Sequence, residues 1–188
     1  MRKLIAFNHV TLDEYFVGVN GDFSWARRGN DDPEYAGFVA ENASRGDELL
    51  FGRVTYELMA SYWPTALADQ HGPAVAAGMN RAPKVVFSRT LEQASWSNTR
   101  LIKGPLTAEI RKLKEEPGPA MSILGSGRII SQLALENVIE EYQMMVDPVA
   151  LGHGRTMFDG IPKALDLKLT STRTFRNGKV FLCFAPAA

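Results

Sequence analysis

The chain has 188 residues, of which 45% are hydrophobic and 22% are charged, a composition typical of an ordinary globular protein with one domain. Lys plus Arg and Asp plus Glu both number 21, so no net charge would attract nucleic acid or an anionic membrane. Any site for an anion must therefore be local. A chain of this length buries roughly 70% of its unfolded surface, which is enough core to hold a pocket without disulfides or a structural metal.

The sequence shows no sign of export or of a membrane segment. Its N-terminal apolar run is broken by Asn8 and His9, unlike that of a signal peptide, and no stretch of about 18 apolar residues could span a bilayer. The single cysteine, Cys183, cannot form an internal disulfide, which fits a reducing compartment. We expect a cytoplasmic protein that binds neither nucleic acid nor membranes.

The first part of the chain predicts a buried strand, a long loop and a helix. Residues 3–11, KLIAFNHVT, are mostly apolar and β-prone. Residues 12–31 are rich in Gly, Asn and Asp with aromatic side chains between them, and loops of this length are usually functional or mobile. Asp32 followed by Pro33 predicts the start of a helix that ends near Gly46.

Strands and helices alternate through the middle of the chain, and two strands follow at its end. Strands are predicted at 48–51, 84–87 and 121–124, around Trp96 and within 140–152, with helices at 54–61, 106–116 and 128–136. Residues 165–175 and 179–185 form a predicted hairpin around Asn177 and Gly178, which suit a tight turn. This order predicts a single α/β domain over residues 1–188, with a mixed, mainly parallel sheet flanked by helices and an antiparallel C-terminal hairpin.

The ends of three predicted strands carry residues suited to anions, and ligands of an open α/β sheet collect at that edge. After the strand at 48–51, Gly52 would admit a ligand close to the backbone at the start of a helix, where the amides carry partial positive charge. Arg53 and Thr55 could add a guanidinium and a hydroxyl to a bound phosphate. The alternative is that Gly52 only makes a turn and that Arg53 is solvated.

The other two strand ends point to a dinucleotide. After 84–87, Ser88 and Arg89 place a hydroxyl beside a planar cation, a pair that suits the 2′-phosphate of NADP; the alternative is an ordinary polar turn. The segment Gly125–Gly127 lies between a strand and a helix, where glycines bring backbone amides against a pyrophosphate. That fingerprint is incomplete, because Ile130 occupies the last glycine position.

These motifs occur together in one known family. FGRVTYE, VVFSR and ILGSG, in this order, resemble the dihydrofolate reductase-like superfamily and are most similar to the C-terminal reductase domain of the bifunctional riboflavin-biosynthesis protein. Residues 11–25 are similar to that family's S-L-D-G-x-I-x-G…G…W, and residues 140–158 to its D-E-x-x-x-x-x-P-x-x-L-G-x-G-x-x-x-F. The resemblance covers nearly the whole chain. It implies a reductase similar to 5-amino-6-(5-phosphoribosylamino)uracil reductase, acting on a small polar substrate.

The resemblance also implies NADPH as the cofactor and a homodimer as the assembly. The nicotinamide would lie near the end of the first strand, where the loop at 12–31 could close over it and exclude water. The implied cofactor residues are Val10, Thr11 and Gly18 at the nicotinamide, Gly52, Arg53 and Thr55 near the phosphates, Ser88 and Arg89 at the 2′-phosphate, and Gly125, Ser126, Gly127 and Arg128 along the pyrophosphate.

Two positions depart from the family's pattern. The glycine that follows Leu-Asp in the family is Glu14 here, which leaves open a module that binds NADPH without turnover. Dihydrofolate reductases need a carboxylate on the first helix, where ungapped counting places Ala36 and only a shifted register would place Glu34. Folate reduction, or another small-molecule reduction, is therefore the alternative activity. The zinc deaminase half of the bifunctional protein needs paired cysteines, which a single cysteine excludes.

Reduction of an aldehyde or a C=N bond needs a proton as well as a hydride. Asp13 is the candidate catalytic residue, because it follows the first strand; the alternative is that it braces the loop. His9, by contrast, is interpreted as a hydrogen-bonded sheet residue. No Ser-His-Asp signature or metal-ligand spacing is present, which predicts no metal site. The candidate substrate-binding residues are Glu14, Asp22, Glu34 and His153.

Overall fold

The computed structural model describes residues 1–187, which are organised around one eight-stranded sheet. The strands are, in chain order, β1 (Leu4–Thr11), β2 (Tyr15–Val17), β3 (Glu48–Gly52), β4 (Lys84–Phe87), β5 (Thr99–Ile102), β6 (Met121–Leu124), β7 (Glu141–Asp147), β8 (Arg155–Thr156), β9 (Leu167–Thr174) and β10 (Val180–Pro186). The large sheet has the order β5-β4-β3-β6-β1-β7-β10-β9, and β2 pairs separately with β8.

The direction of the strands confirms the predicted mixed sheet. Neighbouring strands from β5 to β7 are parallel, whereas β10 is antiparallel to both β7 and β9. The register pairs Gly52 with Phe87 and Phe7 with Leu124. The turns that follow β3, β4 and β6 therefore lie at the same edge of the sheet as the end of β1.

Within residues 1–187, six α-helices flank the sheet. They are α1 (Pro33–Ser44), α2 (Arg53–Tyr62), α3 (Ala66–His71), α4 (Pro73–Arg81), α5 (Leu106–Glu115) and α6 (Gly127–Leu133). The helix predicted from Asp32 and Pro33 is present, since the Tyr35 amide donates to Asp32 Oδ1 at 2.9 Å and Pro33 lies in the first turn. None of the helices in residues 1–187 is long and apolar enough to cross a membrane.

The apolar core lies on both faces of the sheet. On one face, Leu50 and Ile123 pack with α5 and α6. On the other face, Phe51 packs with Tyr56 of α2 and Met79 of α4, while α1 covers a separate cluster of aromatic residues. Complete burial of such side chains contributes about 1.5–3 kcal/mol each, so this packing holds the helices against the strands.

The strand predicted around Trp96 is wrong. The observed strand, β5, begins only at Thr99, and Trp96 is a buried residue outside it. The backbone amide of Trp96 donates to the Tyr56 hydroxyl at 2.8 Å, and its indole Nε1 donates to Asn80 Oδ1 at 2.8 Å. The Trp96 ring also lies 4.5 Å from the buried ammonium of Lys84. Burial lowers the pKa of Lys84 from 10.5 to about 8.

Two regions hold more regular structure than the sequence patterns indicate. Helices α3 and α4 occupy residues 66–81, for which no element was predicted. The predicted loop at 12–31 contains β2 and two short 3₁₀ turns, and β2 is held by its pairing with β8.

The predicted C-terminal hairpin is present, with Gly178 at a φ of 86° in its turn.

Candidate active site

The turns after β3 and β6 are in direct contact. The Gly52 amide donates to Ser126 Oγ at 2.8 Å, and the Ser126 amide donates to Thr55 Oγ1 at 3.2 Å. Each turn therefore supplies a hydroxyl that accepts a backbone hydrogen bond from the other. This pair of hydrogen bonds, here called the cross-brace, fixes two of the three predicted anion-binding turns relative to each other.

The backbone of the second turn has an unusual conformation. Gly125 and Ser126 both lie in the left-handed region, with φ values of 59° and 57°. A serine in this region is uncommon and stores strain of the order of 1 kcal/mol, which is typical of functional turns. A Cβ on Gly125 would lie 3.1 Å from Thr55 Cγ2, and a Cβ on Gly127 would lie 2.7 Å from Phe16 Cζ. Both glycines thus allow close approach of neighbouring groups.

The start of α2 lies beside this turn. Gly52 is the N-cap of the helix and has no side chain with which to cap the first amides of α2. These amides carry the partial positive charge of a helix N-terminus and suit an anion. The Arg53 guanidinium contacts Glu57 Oε2 at 2.9 Å, but both side chains are about half exposed. A pair of this kind is worth about 0.3–0.5 kcal/mol, so a phosphate could draw Arg53 away from Glu57.

The third turn follows β4. Ser88 continues the strand, because its amide donates to the Ile102 carbonyl at 3.1 Å. Its hydroxyl accepts hydrogen bonds from the amides of Leu91 at 2.9 Å and Thr90 at 3.2 Å, and so shapes the turn. The Arg89 side chain next to it is exposed. The predicted contact of Ser88 and Arg89 with a 2′-phosphate stays a prediction.

The predicted nicotinamide residues lie around the end of β1. Val10 and Thr11 are buried at this end, and the Gly18 amide donates to the Asp22 carbonyl at 2.9 Å in the following loop. The Thr11 hydroxyl accepts from the Tyr15 amide at 3.0 Å. These contacts hold the loop against the strand, next to the turn of Gly125.

Asp13 has the contacts of a loop brace. Its carboxylate accepts hydrogen bonds from the Thr11 hydroxyl at 2.6 Å and from the amides of Leu151 at 2.9 Å and Gly152 at 2.7 Å. The Thr11 hydroxyl and the Gly152 amide hold the pKa of Asp13 below its ordinary value. An ionised carboxylate cannot donate a proton, so the structure favours the bracing alternative over the predicted catalytic role.

The four predicted substrate residues occupy surface positions. Glu14 is exposed with a φ of 70°, and His153 is exposed in the turn before β8. Asp22 Oδ1 accepts from the Ser24 amide at 3.0 Å, and this contact holds the pKa of Asp22 below its ordinary value. Glu34 is paired with Arg173 at 3.1 Å across the exposed surface of α1. Their contact with a substrate stays a prediction.

Helix α1 presents no carboxylate to the sheet. Its buried side chains are Tyr35 and Phe38, whereas its two acidic residues, Glu34 and Glu41, are exposed. The carboxylate that a dihydrofolate reductase needs on its first helix is therefore not supplied by the residues of α1.

A buried polar group near the end of β1 was not predicted from the sequence. His9 Nδ1 donates to Asp147 Oδ2 at 2.7 Å, and Lys179 forms an ion pair with the other oxygen of Asp147. The Tyr35 hydroxyl lies 3.4 Å from His9 Nε2. The one signal in the sequence is Asp147, an acid at the end of the strand β7. Its position beside His9 depends on the pairing of β1 with β7, which only the structure shows.

Two cavities adjoin other parts of the molecule. A cavity of about 70 Å³ is lined by Trp25, Arg28, Gly29, Asp147, Pro148, Val149 and Asn177. A wider depression of about 410 Å³ surrounds Met1 and Arg2 at the opposite edge of the sheet. Neither is lined by the predicted cofactor residues. Within residues 1–187 no group of three or more His, Cys, Asp and Glu side chains could hold a metal ion.

The arrangement of the sheet and helices is that of the dihydrofolate reductase-like fold. The structure aligns with dihydrofolate reductase from Enterococcus faecalis, complexed with NADP(H) and RAB-propyl, with a TM-score of 0.67, 14% identity and coverage of 99% of this chain and 97% of that one. It also aligns with a Thermotoga maritima diaminohydroxyphosphoribosylaminopyrimidine deaminase/5-amino-6-(5-phosphoribosylamino)uracil reductase, with a TM-score of 0.68, 13% identity and coverage of 99% and 57%.

Within this fold class, the sequence matches the RibD C-terminal domain over residues 2–181, and the chain belongs to that family. This confirms the resemblance seen in the motifs. A curated relative, the uncharacterized protein YyaP of Bacillus subtilis, is 28% identical over 183 residues, which cover 97% of this chain and 94% of the relative.

Proposed function

We propose that the protein is an NADPH-dependent reductase that transfers a hydride to a small polar substrate. The observation that carries the proposal is the cross-brace, because it joins two turns that the sequence predicts to bind anions, at the edge where ligands of such sheets collect. Membership of the RibD C-terminal domain family and the reductase names of proteins with the same fold support it.

The order of the strands suggests how NADPH would lie. The 2′-phosphate would contact Ser88 and Arg89 after β4, and the pyrophosphate would lie over the cross-brace and the uncapped start of α2. The remaining half of the dinucleotide would reach the end of β1, beside Val10, Thr11 and Gly18. When bound there, NADPH supplies the hydride; the chain orients the substrate and excludes water with the loop at 12–31.

A pyrimidine that carries a ribosylamine is the favoured substrate class, by resemblance to the uracil reductase of riboflavin biosynthesis. Dihydrofolate is disfavoured, because α1 directs no carboxylate toward the sheet. The NADPH-binding module without turnover was suggested by Glu14 in place of the family's glycine. Glu14 nevertheless adopts the left-handed backbone that a glycine would provide, with a φ of 70°, so the substitution does not by itself exclude the turn of the family's pattern.

A substrate panel tests the proposal. We expect the purified protein to oxidise NADPH in the presence of 5-amino-6-(5-phosphoribosylamino)uracil faster than with dihydrofolate, as read by the loss of nicotinamide absorbance. Arg89→Ala should raise the dissociation constant for NADPH by about tenfold or more, because it removes a charge-assisted contact, and should leave that for NADH unchanged. Arg111→Ala, an exposed arginine on α5 paired with Glu136, is the matched control.

The outcomes separate the parts of the proposal. Tight NADPH binding without turnover on any acceptor would favour the non-catalytic module. Equal affinity of the Arg89→Ala variant and the parent protein for NADPH would remove Arg89 from the site. Failure of the parent protein to bind NADPH would refute the proposed function altogether.

A further inference from the structure

The buried group of His9, Asp147, Lys179 and Tyr35 has no role in the hydride transfer described so far. Asp147 and Lys179 are each 1% exposed and in direct contact, with Lys179 also donating to the Ala26 carbonyl at 3.1 Å. Burial of charged groups is costly, and a stable core of this size could be built from apolar side chains instead. The retention of two charges beside a histidine therefore calls for a chemical explanation.

His9 lies where the reactive end of the dinucleotide would reach. The Phe7 carbonyl accepts from the Gly125 amide at 3.3 Å, and His9 is two residues further along β1, on the same face as Phe7 and α1. From β4 to β1 the sheet crosses β3 and β6, which at about 4.8 Å per strand spans about 14 Å. A dinucleotide gripped after β4 and laid along this edge has its other end at β1.

The imidazole is held firmly at one nitrogen and loosely at the other. Asp147 accepts from Nδ1 at 2.7 Å, whereas the contact of Nε2 with the Tyr35 hydroxyl is long, at 3.4 Å. The ring is flanked edge-on by Phe7 and by Phe23 of the loop, with ring centroids 5.7 and 5.9 Å away. The His9 side chain is 14% exposed and therefore only partly buried.

Asp147 adjoins a small cavity. It lines the cavity of about 70 Å³ together with Arg28 and Asn177. A polar cavity needs only about 10–15 Å³ to hold a water molecule, so this one can hold water against the carboxylate. A water molecule there could exchange protons with the Asp147–His9 pair.

We propose that His9 is the acid that protonates the acceptor atom during the reduction and that Asp147 positions its imidazole, an inference that rests on the proposed function. The carbon of a C=N or C=O bond receives the hydride of NADPH, its π electron pair moves to the nitrogen or oxygen, and that atom takes the proton of His9 Nε2. The products are NADP⁺, the reduced substrate and neutral His9, which regains one proton from water.

The other titratable groups that face His9 are poor donors. Burial and the nearby Asp147 carboxylate raise the pKa of Tyr35, which therefore keeps its proton. Lys179 and Asp147 neutralise each other on the far side of the ring. Asp13, on the loop, is held ionised by its hydrogen bonds.

The test compares His9→Gln and Tyr35→Phe with the parent protein, and uses His71→Gln as the matched control because His71 is exposed on α3. The acceptor is the one reduced fastest in the substrate panel, and kcat is measured from about pH 5 to about pH 9. His9→Gln should lower kcat by about 100-fold or more and abolish its decline at high pH, while the NADPH dissociation constant stays within about twofold. The Tyr35→Phe and His71→Gln variants should keep most of the rate.

A measurement on the unaltered protein guards against misfolding of the His9 variant. The chain has only three histidines, so their ring protons can be assigned by NMR with the His71→Gln variant and a His153→Gln variant. Addition of NADPH should shift the ring signals of His9 and leave those of His71 and His153 in place. His9 ring signals that do not respond to NADPH, or an equal loss of rate in Tyr35→Phe, would overturn the proposal. A parent protein that reduces no acceptor would overturn the proposed function and this inference together.

Discussion

The cross-brace can be tested through stability. Thr55→Val keeps the shape of the side chain but removes the hydroxyl that accepts from the Ser126 amide at 3.2 Å. A partly buried amide left without an acceptor costs about 1–2 kcal/mol of unfolding free energy. For a chain of this length each kcal/mol lowers Tm by about 2–4 °C, so we expect a decrease of about 2–8 °C.

The same variant should respond less to NADPH. A ligand at a hundred times its dissociation constant stabilises the folded state by about 2.7 kcal/mol, which a thermal melt detects directly. Because Thr55→Val loosens the turn that would hold the pyrophosphate, its Tm should rise less than that of the parent protein at equal NADPH concentration.

The control for this experiment is Thr172→Val on β9, where the side chain is exposed and the change should stay within about 0.5 kcal/mol. If Thr55→Val were as stable as Thr172→Val, the cross-brace would not hold the turns. If it were destabilised but gained the full benefit of NADPH, the cross-brace would be structural and unrelated to the cofactor.

Three further predictions concern other parts of the chain. Lys84 has a pKa of about 8 in the folded state, against an ordinary value of 10.5. Between these two pH values the unfolded state binds more protons than the folded state, so the free energy of unfolding rises with pH. Urea melts should show this rise in the parent protein and not in Lys84→Met. Asp13, with its lowered pKa, contributes stability above pH 3.8 that is lost as the pH falls through its folded value, so the deficit of Asp13→Asn at neutral pH should shrink in acid melts. A homodimer is expected by light scattering, and a monomer at micromolar protein would contradict it.

Local signals were sufficient to predict the parts of the fold that depend on neighbouring residues. Asp32 and Pro33 start α1 because the cap and the fixed proline dihedral act within one turn. Trp96 misled the prediction of a strand, because its burial comes from Tyr56 and Asn80, which are distant in sequence. Helices α3 and α4 were missed where Gly72 and Pro73 interrupt the apolar pattern.

In the candidate site, too, features set by neighbouring residues could be predicted, whereas contacts between distant residues could not. The turn Gly125–Gly127 was predicted from its glycines, and its left-handed backbone is consistent with that reading. The partners of Ser126 and Thr55 could not be predicted, because their contact depends on the order of β3 and β6 in the sheet. The pairing of His9 with Asp147 similarly depends on β1 lying next to β7.

The position of β1 has a consequence for synthesis on the ribosome. This strand is translated well before both of its neighbours in the sheet, β6 and β7, which follow only after residue 120. Sheets closed by such distant partners assemble slowly, and an apolar strand that waits with bare edges is prone to aggregate. A nascent chain stalled before Met121 should therefore depend on chaperones far more than the released protein.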